Sequence, residues 1–298
     1  MEPTDVQHPD WSALGQAIDY RLRLSFGGRL GPAVTLGVAF LDGPEHFHGA
    51  PAAPIRHALS EAGRQLLATV DAYLAAPGRY DEEIIARLCF VAAFYEDIAR
   101  NGRIRRFSML TTATRTTTLA ELTAAVPTYA IDDIAAQTHL AERALAPLRA
   151  LPPKARVCGP IFAGSDDIGG ADADYILGGL LLDCKATTHP RNLGRNEIYQ
   201  LAGYLLLDYD DQYSIDRVGL YLSRQGGLII WDASEFLRGL GSTTPLPELR
   251  HRFRDHLRDV ANEHGPRSTP PTPQAPEPAA PASPPPHRSS LWSRLFGR

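Results

Sequence analysis

Ile84, Leu88, Val91, Tyr95 and Ile98 recur at three- and four-residue steps, which lays one apolar stripe along a helix. Asp81 stands where an N-cap belongs, and Asn101-Gly102 where a helix stops. Ile55, Leu59, Leu66, Val70 and Leu74 repeat the helical spacing upstream and end at the Pro77-Gly78 breaker. Ala33 to Leu41 is apolar without a decisive period and reads equally as a short strand or a buried helix. From Trp11 to Val126 the pattern is therefore mainly helical.

Beyond Tyr129 the texture changes. Ile131 to Leu148 keeps a helical period, with Asp132 or Asp133 near its start, and ends before Pro152-Pro153. Arg156–Phe162, Ala171–Leu177 and Leu180–Ala186 are apolar runs of strand length. Gly178-Gly179 separates the last two, and a Gly-Gly link between strands signals a hairpin. Asn196 to Leu207 predicts a helix. Arg217–Ser223 and Leu228–Trp231 flank Gln225-Gly226-Gly227 as a second hairpin, and Leu246 to Asn262 predicts a closing helix. The order is helix, three strands, helix, two strands, helix. It predicts an α/β domain with a small mixed sheet flanked by helices.

From Gly265 the chain is a Pro, Ala and Ser tract (STPPTPQAPEPAAPASPPP) that has too little apolar surface to fold, which predicts a disordered tail. Its end sets Leu291, Trp292, Leu295 and Phe296 among Arg288, Arg294 and Arg298. That is the pattern of a short basic amphipathic peptide suited to a protein partner, and equally of a frayed terminus. Three regions follow: a helical one over 1–128, a mixed core over 129–264 and a tail over 265–298.

Hydrophobic residues make up 44% of the chain, enough for a core of ordinary size. The net charge of -4 excludes a polycation, so any nucleic-acid contact rests on local basic patches. Cys89, Cys158 and Cys184 show no CxxC spacing, which argues against zinc and against a disulfide framework and leads us to expect a reducing cytoplasm. MEPTDVQHPDW lacks the basic and apolar regions of a signal peptide, and no apolar run is long enough to span a membrane.

The informative stretch is Gly169 to Thr188, GGADADYILGGLLLDCKATT. Side chains alternate faces along a strand, so Leu181, Asp183 and Lys185 share one face and Leu180, Leu182 and Cys184 the other. On the preceding strand Asp172, Asp174 and Ile176 share a face, and the tight turn brings Asp174 to Asp183. Burying opposite charges inside an apolar strand is costly unless they are used. Two carboxylates and an ammonium suit divalent-metal phosphodiester hydrolysis. Asp174 and Asp183 would hold Mg²⁺ (or Mn²⁺), with the Cys184 backbone carbonyl as a third ligand, while Lys185 would orient water and offset phosphate charge. For Asp183 and Lys185 alone, a solvated surface couple is the plain alternative.

Asp174 followed by Asp183-Cys-Lys185 on a strand pair after a helix resembles the PD-(D/E)XK nuclease signature. Gln200-Leu-Ala-Gly-Tyr204 on the next helix is similar to the QxxxY motif of the RecB-like and Cas4-like branch. Gln200 and Tyr204 share a helix face with Glu197. The resemblance covers about Ile131 to Trp231. It implies a restriction-endonuclease-like core, Mg²⁺-dependent hydrolysis of DNA in repair or defence against foreign DNA, and catalytic roles for Asp174, Asp183, Lys185, Gln200 and Tyr204. It further implies an acidic residue or a histidine on the first core helix, for which Glu142 and His139 are candidates. Arg191 and Arg195, with the basic run holding Arg103, Arg105 and Arg106, are candidate nucleic-acid contacts. The competing reading is a nuclease-like fold without catalysis that serves as a nucleic-acid or protein adaptor.

Overall fold

In the computed structural model, residues 9–43, 49–76, 78, 81–192 and 194–264 are described. The Pro-rich tract and the amphipathic end lie outside the described residues, as does Pro77.

The helical region comprises α1 (Trp11–Ser25), α2 (Pro32–Asp42), α3 (Ala53–Ala75), α4 (Glu82–Asn101), α5 (Leu119–Ala124) and α6 (Thr128–Ala144). α4 follows its sequence signals: Asp81 accepts from the Ile84 N–H, and Gly102 ends the helix in the left-handed region at φ 59°. The ambiguous segment over Ala33–Leu41 is helix. Gly31-Pro32 opens it, proline being tolerated where no N–H is needed. Its close approach to α4 depends on Gly37, where a Cβ would come within 1.8 Å of the Tyr95 carbonyl oxygen. Tyr95 in turn donates to the Leu59 carbonyl at 2.7 Å, which joins α3 to the same seam.

The predicted helix over Ile131–Leu148 is broken. α6 stops at Ala144 and a single turn, α7 (Ala146–Arg149), follows. Pro147 has no N–H with which to continue the ladder. The strands are β1 (Arg156–Cys158), β2 (Tyr175–Leu177), β3 (Leu180–Lys185), β4 (Arg217–Leu222) and β5 (Gly227–Asp232), with α8 (Arg195–Leu207), α9 (Ala233–Gly239) and α10 (Leu246–His264). The first two strands are shorter than the apolar runs suggested. Gly159 turns the chain at φ 62°, and beyond it the isolated bridge Ile161↔Asp172 and a bond from the Ala173 N–H to the Pro160 carbonyl join the two segments.

The sheet runs β1-β2-β3-β4-β5 in chain order. Its pairs are antiparallel except β3 and β4, which are parallel and linked through α8. The Gly178-Gly179 hairpin holds, with both glycines at positive φ (59° and 81°), as a two-residue turn of this hand demands. The second hairpin joins β4 to β5 through Gly226 at φ 63°. The observed architecture is thus an α/β fold with a small mixed sheet flanked by helices.

Alternation along β3 decides what covers each face. Leu180 and Leu182 pack with Ile18, Leu22 and Phe26 of α1 and Ala141 of α6. Leu181 packs on the opposite side with Leu201, Ala202 and Leu205 of α8 and with α10. The helical region and the sheet therefore share a core across the boundary placed at residue 128, because α1 caps a face of the sheet. None of the described helices is long and apolar enough to cross a membrane.

Candidate active site

Asp183 and Lys185 continue the Leu181 face of β3, toward α8. Extending the register Tyr175↔Leu182 by one step sets Asp174 opposite Asp183. The Cys184 backbone N–H donates to Asp174 Oδ2 at 2.6 Å, which locks the first acid to the second strand. The Cys184 carbonyl leaves the same edge of β3, because N–H and C=O of one strand residue point to the same neighbour.

Lys185 Nζ lies 2.8 Å from Asp183 Oδ2. It also donates to Gln200 Oε1 at 2.8 Å, and Gln200 Nε2 donates to the Tyr204 hydroxyl at 2.8 Å. Gln200 and Tyr204 present one face of α8 to the strand, as their i, i+4 spacing requires. Asp183 Oδ2 is buried, and its near neighbour is the Lys185 ammonium.

All five predicted catalytic side chains, with Cys184, line a single cleft of about 600 Å³. Asp172 lines it as well but is itself exposed. The opposite wall comes from the helical region: Gln16, Asp19, Tyr20 and Arg23 of α1, the start of α2, and Glu96 and Arg100 of α4. The Tyr175 hydroxyl donates to Asp19 Oδ1 at 2.5 Å, and Arg23 Nη2 donates to Asp19 Oδ2 at 2.9 Å. Tyr20 donates to Glu96, which also holds Arg100.

Charge crowding governs the electrostatics. Burial pushes the Asp174 carboxyl well above the ordinary carboxylate range. The charges of Asp19 and Asp183 add to the rise, against the pull of the Cys184 N–H and Lys185. Burial likewise raises Asp183 and Asp19, although Lys185 and Arg23 respectively counter it. Burial works against the Lys185 ammonium, but Asp183 and Asp174 outweigh it, so the group stays above its usual value and charged. Burial also pushes the Tyr204 hydroxyl up to about 12, which keeps it protonated. Asp19, Asp174 and Asp183 thus crowd one cleft around the Lys185 ammonium, and each carboxyl is held above its ordinary value.

The first-helix acid expected from α6 is not there. His139 and Glu142 face solvent, with side-chain exposures of 83% and 60%, and pair with each other. Neither lines the cleft. The carboxylate that crowds Asp174 from a helix is Asp19 of α1, and sequence reasoning missed it. Its one local signal is a charged pair, Asp19 and Arg23, set one turn apart, each directly after an apolar residue, Ile18 and Leu22. Glu96 was missed for a similar reason, since it sits in a helix read only for its apolar stripe.

Arg191 and Arg195 are exposed and lie outside the cleft lining, and Glu197 is taken up by the Gly194 N–H at 2.9 Å. Arg103 and Arg106 are exposed as well. Arg105 is half-buried, and its Nε lies 2.5 Å from Asp97 Oδ2. The cysteines are free thiols, with Cys89 buried and Cys158 and Cys184 half-buried.

Among the described residues, no group of three or more His, Cys, Asp and Glu side chains is arranged to hold a metal ion. No family model, curated protein or solved structure matches this chain.

Proposed function

We propose that this protein is a Mg²⁺- or Mn²⁺-dependent nuclease of the PD-(D/E)XK type, hydrolysing DNA phosphodiester bonds. The observation that carries the reading is the convergence of Asp174, Asp183, Lys185, Gln200 and Tyr204 on one cleft, the last four in one connected polar chain. Three separate sequence segments supply these residues, so a chance Asp-x-Lys does not account for their meeting.

The donor set suits magnesium. Mg²⁺ keeps several waters and takes one or two protein carboxylates together with phosphate oxygens, so it does not need an all-protein cage. Asp174, Asp183 and the Cys184 carbonyl would supply that partial shell. When bound, the ion would polarise the scissile phosphate and acidify a water. The residues do the rest. Lys185, charged and held by Gln200, would stand beside the phosphate and offset the charge that grows on its oxygens. Gln200 and the protonated Tyr204 would fix the direction of that ammonium. The opposite wall, with Arg100 at its rim, would narrow the entry for a nucleic-acid strand.

A second reading, a nuclease-like fold that binds nucleic acid without cutting it, is favoured by the missing third side-chain ligand. One experiment separates the two. Purified protein with Mg²⁺ or Mn²⁺ is given linear single- and double-stranded DNA, beside Asp183→Ala and Lys185→Ala. Cleavage by wild type that both variants lose supports catalysis. Equal cleavage by all three points to a contaminant and removes the claim. DNA binding without cleavage selects the second reading.

A further inference from the structure

We propose that the loop from Gly102 to Ser108 is a stacking platform for an unpaired nucleobase, which makes single-stranded nucleic acid the substrate class of the cleft. The part about the cleft rests on the nuclease reading; the part about the loop does not. Phe107 is 89% exposed, while each of the other described phenylalanines is buried or partly so. A single exposed phenyl ring is ordinary at a protein surface, so its neighbours must give it a use.

The neighbours of Phe107 supply one. The Arg106 guanidinium stands 5.6 Å from the ring centroid, a cation–π pair on the surface. Arg103 and Arg106 are exposed, whereas Arg105 is drawn back to Asp97 at 2.5 Å. That anchor folds the loop against the last turn of α4 and leaves the other two arginines and the ring outward. α4 carries Arg100, a wall residue of the cleft whose side chain is 58% exposed. Arg100, which lines the cleft, thus lies seven positions before Phe107 in the chain.

Every base has a π face, and a single strand presents it where a duplex hides it. Stacking on a ring, with phosphates drawn to adjacent arginines, is how such strands are held without sequence readout. A lipid surface is the poorer match. Phe107 has no exposed apolar companion in the loop, since Ile104 is half-buried, so the loop offers a membrane one ring and no apolar face to insert. A protein partner would call for a broader apolar patch around the ring.

The test uses the full chain in EDTA, which removes hydrolysis, and follows the fluorescence anisotropy of a labelled oligodeoxythymidine and of a mixed-sequence duplex. Phe107→Ala should weaken single-strand binding about tenfold, the scale of one lost stacking contact, while Phe107→Trp retains it. Arg103→Gln with Arg106→Gln should weaken binding and flatten its salt dependence. Equal single-strand affinity of Phe107→Ala and wild type would overturn the proposal. So would the absence of single-strand binding, or loss of anionic-vesicle binding in that variant in place of strand binding. Because no cleavage is measured, failure here leaves the Mg²⁺ assay of Asp183→Ala untouched, and a chain that cuts nothing still reports on the loop.

Discussion

The backbone N–H of Cys184 donates to Asp174 Oδ2 at 2.6 Å, so the main chain of one strand orients the carboxylate of its neighbour. That bond favours the charged form, yet burial and the charges of Asp19 and Asp183 prevail and the carboxyl is held well above its ordinary value. A raised folded-state value means that the folded protein binds the proton more tightly than the unfolded chain does. The associated stability is present below the ordinary value of 3.8 and is lost as pH rises through the raised one. Asp174→Asn keeps an oxygen for the Cys184 N–H and removes the charge. In the metal-free protein it should therefore melt above wild type at neutral pH. A gain of about 1 kcal/mol moves Tm by roughly 2–4 °C in a chain of this size. The advantage should shrink as the pH is lowered toward the ordinary carboxylate range. Thermal melts across that range check both statements, and a variant less stable than wild type at neutral pH would show that the crowding is not unfavourable.

Added metal should reverse this order. An ion held by Asp174 and Asp183 stabilises only the folded chain, by about 2.7 kcal/mol when free metal is a hundredfold above its Kd. Mg²⁺ or Mn²⁺ should raise the Tm of wild type and leave Asp174→Asn unmoved, and EDTA should return wild type to its starting point. Protons compete for the same raised carboxyls, so the metal-induced shift should diminish on acidification. A shift of equal size in wild type and variant would place the ion elsewhere.

Gln200 stands between the Lys185 ammonium and the Tyr204 hydroxyl, at 2.8 Å from each. If it serves to aim Lys185, its loss should fall on turnover more than on binding. Gln200→Ala should lower kcat about tenfold to a hundredfold with KM changed less than about threefold, the cost expected when a charged group is misplaced by about an ångström. Steady-state kinetics on linear DNA gives the split. A rise in KM at constant kcat would instead make Gln200 a strand contact.

The sheet half of the site was legible because its signals are local. Period-two alternation put Asp183 and Lys185 on one face of β3, the double glycine fixed the hairpin that sets Asp174 opposite Asp183, and the i, i+4 spacing aligned Gln200 with Tyr204. The helical wall was not legible. Asp19 reaches the cleft because α1 caps a face of the sheet, and no pattern within α1 says which distant element it will cover. The helix next to the strands in sequence, α6, looked the natural donor, but it turns Glu142 and His139 to solvent and spends its inner face on Ala141 and on Asp133. Strand lengths were overestimated for a similar reason: Ile161 and Phe162 are apolar and extend the run in sequence, while Gly159 turns the backbone away. Arg105 looked like its exposed neighbours until Asp97 gave it a partner.

Asp133 shows how far from the cleft the site is supported. Its carboxylate forms an ion pair with Arg224, the two side chains being 4% and 1% exposed, and it accepts from Gln137 at 2.8 Å. Gln137 accepts from Ser223 at 2.6 Å, and Arg224 Nε donates to the Ala186 carbonyl at 2.9 Å. The Ser223 N–H meets the Lys185 carbonyl at 3.1 Å. The network thus clasps the chain on both sides of the peptide that follows Lys185. Asp133→Ala strips the carboxylate from a buried guanidinium, a change that costs about 3–5 kcal/mol when no partner replaces it. Urea unfolding of the metal-free protein should show that loss through a lower midpoint at unchanged slope. Where the variant remains folded, its kcat should fall as well, because the end of β3 loses the clasp that sets the Lys185 backbone. Asp133→Asn, which keeps an acceptor for Arg224, should recover part of both. A stability loss below about 1 kcal/mol in Asp133→Ala, the range of an exposed pair, would mean that solvent reaches the guanidinium.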